Sequence, residues 1–261
     1  MLSTLQLDCV RDHRKYADTV AILSAVYDLL QRHRDVARFI GIETKLKKNG
    51  NQFVTPDLVA VYDNNTKGLI FEIKWSMPLD MELLEKEIRE LKKYTDQFSN
   101  WSNPTGLVDF QDLVLVCHID DVKRIVSTVS KIAEEPDYNF LNSEGFAIWT
   151  WTISPPKQGE RREELRLFSV HGRTRNEKIE NMLHEPGGIL IPEEVLTYLR
   201  FTFFFIRQKP PIQYTMTMLI HHILTQPGIE REFYEVDTDF IYERAQRIFF
   251  SPWQNSSLIP L

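Results

Sequence analysis

Residues 55–75, TPDLVAVYDNNTKGLIFEIKW, contain two apolar runs separated by a turn-forming segment, and they decide how the chain folds. The first run follows Pro56 and Asp57, and the second places Glu72 and Lys74 among apolar residues. Burying a charge costs several kcal/mol unless the charge is paired or bound to a metal. Either the second run is a surface strand, or its two charges serve a chemical purpose.

The apolar pattern of the surrounding chain predicts a helix, a meander of three strands, and then alternating helices and strands. Asn49-Gly50 lies between two alternating segments and is typical of a β-hairpin. The cluster DNNTKG at 63–68 predicts a second turn. The predicted helices are 14–39, 81–98 and 121–135, and the predicted strands are 40–47, 53–62, 69–75, 112–119, 146–153 and 164–170.

The order of these elements predicts an α/β domain over residues 1–172, built on a mixed sheet flanked by helices. The first three strands are expected to pair antiparallel, and the crossover through helix 81–98 makes strand 112–119 parallel to its predecessor. Residues 173–261 are predicted to form a mostly helical or winged-helix-like C-terminal module, with helices that start near Pro192 and Thr215. Such a module would position DNA or a protein partner.

The composition narrows the class of protein. With 43% hydrophobic and 26% charged residues, the chain falls among soluble globular proteins. Cys9 and Cys117 are too few for a disulfide framework, so a reducing cytoplasm is the expected location. The longest charge-free stretch, 210–229, contains Pro, Gln and His residues and is a poor membrane span. The net charge of −6 means that any surface for nucleic acid must be local.

Alternation along strand 69–75 places Glu72 and Lys74 on one face. A hairpin pairing of the two runs brings Asp57 beside Glu72, and Glu43 lies on the strand before them.

Two carboxylates, with waters and a phosphate oxygen, suit Mg²⁺. Such a metal polarises a phosphoryl group and lowers the pKa of its bound water. A neighbouring lysine can orient or deprotonate that water, or stabilise charge on phosphate. The pattern predicts phosphodiester hydrolysis.

Pro56-Asp57 followed by Glu72-Ile73-Lys74 resembles the motif of the PD-(D/E)xK nuclease superfamily, whose fold is the restriction-endonuclease-like fold. The resemblance covers the α-β-β-β-α-β run at 14–119. It implies that Asp57, Glu72 and the Ile73 backbone carbonyl ligate Mg²⁺ or Mn²⁺, and that Lys74 is catalytic.

Further site residues are also implied by the resemblance. An additional acidic residue often precedes the motif, and Glu43 is the first candidate, ahead of Asp28 on the predicted helix. One branch of the superfamily carries Gln-xxx-Tyr on the helix after the lysine. In this chain that spacing gives Glu90 and Tyr94, with Glu in place of Gln.

The sequence therefore predicts a metal-dependent nuclease, an endonuclease in the first instance, whose partner is nucleic acid and more specifically DNA. A protein partner for the C-terminal module and a homodimer are left open, and no membrane partner is expected. Two sets of basic residues, and the stretch 157–178, are candidate phosphate contacts. The sets are Lys45, Lys47 and Lys48, and Lys86, Arg89, Lys92 and Lys93; the second is interleaved with glutamates and equally suits a solvated face.

Two other interpretations account for the same residues. A non-catalytic module with the nuclease fold would bind nucleic acid or a protein partner without cleaving anything. Alternatively, the motif is coincidental, and Glu72 and Lys74 form an ordinary ion pair on the wet face of a strand in a structural or regulatory protein.

Overall fold

The structure, a computed structural model, describes residues 19, 21–30, 32–48, 52–101, 107–154, 164–184 and 188–192. Pro192, near which one helix is predicted to start, is instead the last residue of a strand, Ile189–Pro192. The helix start predicted near Thr215 and the charge-free stretch 210–229 lie outside the described residues. Among those residues, no helix is both long enough and apolar enough to cross a membrane.

Nine strands and four α-helices form the described part of the chain, with a 3₁₀ turn at Leu91–Tyr94 directly after α2. The helices are α1 (21–30), α2 (Met81–Glu90), α3 (Val122–Ile132) and α4 (Glu177–His184). The strands are β1 (Ala37–Ile42), β2 (Leu46–Lys47), β3 (Phe53–Val54), β4 (Leu58–Tyr62), β5 (Lys67–Ile73), β6 (Phe110–His118), β7 (Phe146–Ser154), β8 (Glu164–Arg173) and β9 (Ile189–Pro192).

Seven of the strands form one mixed sheet in the order β1-β4-β5-β6-β7-β8-β9, and β2 and β3 form a separate pair. Strand β4 is antiparallel to β1 and β5, whereas β6 is parallel to β5 and β7. The predicted antiparallel meander and the predicted parallel crossover are therefore both confirmed. The fold class is α/β with a mixed sheet and several helices.

The turn between β4 and β5 is built from residues that tolerate left-handed backbone. Asp63, Asn64 and Asn65 have φ values of 50°, 57° and 67°. Asp and Asn are several-fold enriched in this region among non-glycine residues. This turn brings β5 back beside β4, with Tyr62 opposite Lys67 and Leu58 opposite Phe71.

Helix α1 ends earlier and is more deeply buried than the amphipathic pattern indicates. A turn occupies 33–36, and β1 then begins at Ala37, inside the predicted helix 14–39, because Ala37 pairs with Tyr62. Nearly all of 21–30 is buried, including Ile22 and Val26 off the predicted apolar stripe. A helix buried on nearly every side belongs to the core and does not lie on the surface.

Two predicted strands are each split in the structure. Segment 40–47 breaks at Glu43, whose φ of 47° is incompatible with a continuing strand. Segment 53–62 breaks at 55–57, where the chain bends before β4. Leu46 pairs with Val54 and Lys47 with Phe53, so the antiparallel pairing predicted around Asn49-Gly50 is confirmed.

Helices α2 and α3 cover one face of the sheet. Helix α2 starts at an Asp80 cap that accepts a hydrogen bond from the Leu83 amide at 3.0 Å. It becomes a 3₁₀ turn after Glu90, so the helix predicted over 81–98 ends by Tyr94. The buried members of this core include Val59, Ile70, Leu84, Ile88, Leu115, Ile125, Val129 and Ile148.

The sheet continues past residue 172, the boundary predicted between two domains. Strand β8 runs to Arg173, and β9 pairs with β8 through Leu165 opposite Ile191 and Leu167 opposite Ile189. Residues 189–192 therefore form an edge strand of the sheet. Their backbone groups find hydrogen-bond partners on β8. The rest of the predicted C-terminal module, 193–261, lies outside the described residues.

Candidate active site

Asp57 lies at the bend that precedes β4, at the end of the β4–β5 pairing. Its amide donates to the Phe71 carbonyl at 3.1 Å, and its side-chain Oδ2 accepts a hydrogen bond from the Ile73 amide at 2.6 Å. The carboxylate thereby replaces the backbone partner that Ile73 would have in a longer strand. Since the N–H and C=O of one strand residue point to the same edge, the Ile73 carbonyl faces the Asp57 side as well.

The charge of Asp57 is disfavoured in this position. Burial, followed by the neighbouring charge of Glu72, raises the pKa of Asp57 to about 7 from 3.8, and Glu43 adds to the effect. The Ile73 hydrogen bond and Lys74 oppose the rise without cancelling it. Burial is therefore the main reason that the ionised form of Asp57 is unfavourable in the folded chain, and the charge of Glu72 adds to it.

Glu72 lies between Phe71 and Ile73 on β5 and is 7% exposed. Its Oε2 accepts a hydrogen bond from the Tyr94 hydroxyl at 2.6 Å. Burial, together with the charge of Glu72, raises the pKa of the Tyr94 hydroxyl, so Tyr94 remains a donor at neutral pH. Tyr94 orients the carboxylate from the 3₁₀ turn after α2.

Lys74 directly follows β5 and is held by two carboxylates. Its Nζ lies 3.2 Å from Glu72 Oε1 and 2.8 Å from Glu87 Oε2. Burial disfavours its charge, but Glu72 and Glu87 outweigh burial and hold the pKa of Lys74 above its ordinary value. Lys74 is therefore an ammonium at neutral pH, which suits charge stabilisation and excludes it as the resting general base.

The other predicted site residues lie at different distances from this centre. The amide of Glu43 donates to the Asp57 carbonyl at 3.0 Å, and its charge acts on Asp57. Glu90 is exposed at the end of α2, and its charge contributes to the raised pKa of Tyr94. Asp28 on α1 forms an ion pair with Arg32, four residues later in the chain. Of the two candidates for the additional acid, Glu43 is the one whose charge contributes to the raised pKa of Asp57.

Two contributors to the site are missed by the motif. Glu87 on α2 pairs with Lys74, and Lys93 Nζ lies 3.6 Å from Glu72 Oε1. Their sequence context is a run of alternating charges, which is typical of a solvated helix face. Only the packing of α2 and its 3₁₀ turn on the sheet distinguishes these two residues from their neighbours.

The donor atoms at the centre fit a hard divalent cation. Asp57, Glu72 and the Ile73 carbonyl could provide oxygen ligands, and burial, followed by the charge of Glu72, raises the pKa of Asp57. Across the described parts of the chain, no group of three or more His, Cys, Asp or Glu is arranged to hold a metal ion. Mg²⁺ needs only one or two carboxylates, because waters and substrate phosphates complete its shell.

A second buried carboxylate, Asp112 on β6, is also missed by the motif. It is fully buried and accepts hydrogen bonds from the Tyr62 hydroxyl at 2.7 Å and from the Arg175 guanidinium at 2.7 Å and amide at 2.8 Å. Burial raises its pKa despite these donors. In the sequence, Asp112 is a charged residue at the start of the apolar run 112–119. A charge within an apolar run is also the signal that marks Glu72.

We expect Asp57→Asn to stabilise the fold at alkaline pH. The folded protein keeps the Asp57 proton up to about pH 7, whereas the unfolded chain releases it near 3.8, so stability falls as pH rises between these values. Asparagine can still accept from the Ile73 amide and has no charge to bury. Urea unfolding in EDTA should give the variant an advantage on the order of a few kcal/mol at about pH 8, vanishing toward about pH 4.

The control for this measurement is Asp137→Asn, since the Asp137 side chain is 79% exposed. The free energy of unfolding of that variant should follow the wild type at every pH, within about 0.5 kcal/mol. An Asp57→Asn variant that is less stable than the wild type at alkaline pH would contradict the assignment of Asp57 as a disfavoured charge.

Comparisons of this chain with protein-family models, with curated proteins and with solved structures found no match.

Proposed function

We propose that this protein is a Mg²⁺- or Mn²⁺-dependent nuclease of the PD-(D/E)xK type, with a restriction-endonuclease-like fold, that hydrolyses phosphodiester bonds, most simply in DNA. The observation that carries the proposal is that Asp57, held at β5 by the Ile73 amide at 2.6 Å, lies next to Glu72 and Lys74, whose side chains are 3.2 Å apart. Burial and the charge of Glu72 also raise the pKa of Asp57. A carboxylate kept where its charge is disfavoured weakens the fold, and such placement is typical of functional residues.

Each residue has a distinct role under this proposal. Asp57, Glu72 and the Ile73 carbonyl would hold the cation, which activates water and polarises the phosphoryl group when bound. Tyr94 orients Glu72, and the Lys74 ammonium stabilises negative charge that develops on the phosphate oxygens. Glu87 holds Lys74 in place, and Glu43 adds negative charge beside Asp57.

One observation favours the alternative, a non-catalytic module with the same fold that binds nucleic acid or a protein partner. Glu72 is already engaged by Tyr94, Lys74 and Lys93, and Lys74 is engaged by Glu87. A network that satisfies its own charges can be purely structural. The two functions differ in whether a divalent cation binds at Asp57.

Metal dependence separates these functions. We expect purified protein to nick supercoiled plasmid in Mg²⁺ or Mn²⁺ and to lose this activity in EDTA. Calorimetric titration with Mn²⁺ should detect a site in the wild type that Asp57→Asn weakens, since an amide is a poorer ligand than a carboxylate. Linear and single-stranded DNA and RNA, tested in parallel, would define the substrate. Equal cleavage in EDTA would refute the metal mechanism, and nucleic-acid binding without metal binding would support the alternative.

A further inference from the structure

The basic residues along α2 and its 3₁₀ turn have different partners. The Arg89 guanidinium forms two hydrogen bonds with Glu135, at 2.6 and 2.7 Å, and lies over the Tyr138 ring. Lys92 faces the same region, with its Nζ 3.4 Å from Asp137. Lys93, the next residue, faces Glu72 instead. Adjacent lysines on one turn are thus directed to different surroundings.

Lys93 lies at the candidate site, and its contacts there are long. Its Nζ lies 3.6 Å from Glu72 Oε1 and 4.7 Å from the centre of the Tyr94 ring, and its side chain is 38% exposed. A long ion pair with one partly exposed partner contributes little to stability. Little is lost when the ammonium exchanges Glu72 for another anion, and the flexible lysine stem permits the movement.

Lys93 and Lys74 approach the same oxygen, Glu72 Oε1, at 3.6 and 3.2 Å. An anionic strand that brings a phosphate to Lys74 therefore brings phosphate charge within reach of Lys93. Contacts between cationic side chains and backbone phosphates supply a large part of the affinity of a protein for nucleic acid. A second lysine at this position would hold the strand beside the reacting group.

We propose that Lys93 is a phosphate-binding residue for the nucleic-acid substrate, exchanging Glu72 for a backbone phosphate when the strand binds. This inference rests on the proposed nuclease function and names the residue that holds the strand. Lys92, paired with Asp137, takes no part in it.

The test is binding without cleavage. Fluorescence anisotropy of a fluorescein-labelled DNA duplex with a single-stranded overhang is measured in EDTA over a series of salt concentrations. Lys93→Ala should weaken binding roughly tenfold at low salt and reduce the slope of log K against log salt by about one. Lys92→Ala, the matched control, should match the wild type, and Lys93→Arg should restore most of the lost affinity.

A second measurement distinguishes this role from a structural one. Lys93→Ala removes a cation from Glu72, so its affinity for Mn²⁺ by calorimetry should be unchanged or higher while its affinity for DNA falls. If wild type binds DNA and Lys93→Ala binds it as well as Lys92→Ala does, the Lys93 inference is wrong and the nuclease proposal stands. If wild type neither binds the duplex nor cleaves it in Mg²⁺, both are wrong.

Discussion

Lys74→Ala is expected to lower cleavage by roughly 10²–10⁴-fold, the range typical of removing a positioned charge-stabilising or acid–base group. The raised pKa of Lys74 keeps it an ammonium at neutral pH, and an ammonium has donors but no lone pair with which to ligate a metal. The loss should therefore appear in the rate of cleavage, while affinity for Mn²⁺ stays similar or rises. Plasmid nicking beside calorimetric titration measures both quantities.

The matched control is Lys131→Ala. Lys131 also pairs with a glutamate of α2, with its Nζ 2.6 Å from Glu85, but its side chain is 70% exposed and belongs to α3. Its removal should leave nicking within about twofold of wild type, since exposed pairs contribute little. Full activity of Lys74→Ala would assign Lys74 to a structural ion pair between Glu72 and Glu87.

Arg175→Met is expected to lower the free energy of unfolding by about 3 kcal/mol. The change removes the guanidinium that pairs with the fully buried Asp112 carboxylate, and leaves the Tyr62 hydroxyl and the backbone amide of residue 175 as donors. The value is at the low end for a buried pair because the Arg175 side chain is 31% exposed and water can partly replace it. Urea unfolding at neutral pH measures the loss.

The pH dependence of this loss identifies its cause. Removing Arg175 should raise the pKa of Asp112 further, so the penalty is present where the carboxylate is charged and shrinks as acid protonates it. Arg173→Met is the control, because Arg173 is exposed at the end of β8. That variant should stay within about 0.5 kcal/mol of wild type. An equal, pH-independent loss in both variants would attribute the effect to general disruption of the chain around the end of β8.

Local sequence patterns specify much of the scaffold. Asp63, Asn64 and Asn65 specify a tight turn through their tolerance of left-handed backbone, and that turn aligns β4 with β5. The long apolar run of β6 specifies a strand buried on both faces. These features are decided within a few residues of the chain, so they can be predicted without knowing what packs against them.

The central residues of the candidate site can also be recognised in the sequence. A glutamate and a lysine within an apolar strand conflict with burial, and that conflict is visible from the order of the residues alone, which is why it marks Glu72 and Lys74. The hairpin pairing predicts that Asp57 comes beside them, and the Asp57 carboxylate does lie against β5 through the Ile73 amide.

The balance of these charges, by contrast, depends on tertiary packing. The bend at Asp57, the 3₁₀ turn that directs Tyr94 and Lys93 to Glu72, and the contact of Glu87 with Lys74 join residues from different elements. The partnership of Asp112 with Tyr62 and Arg175 spans 50 and 63 residues of chain. Each of these contacts depends on how the elements pack and on which charges lose water when they do. Neither the packing nor the loss of water follows from periodicity or spacing along the chain.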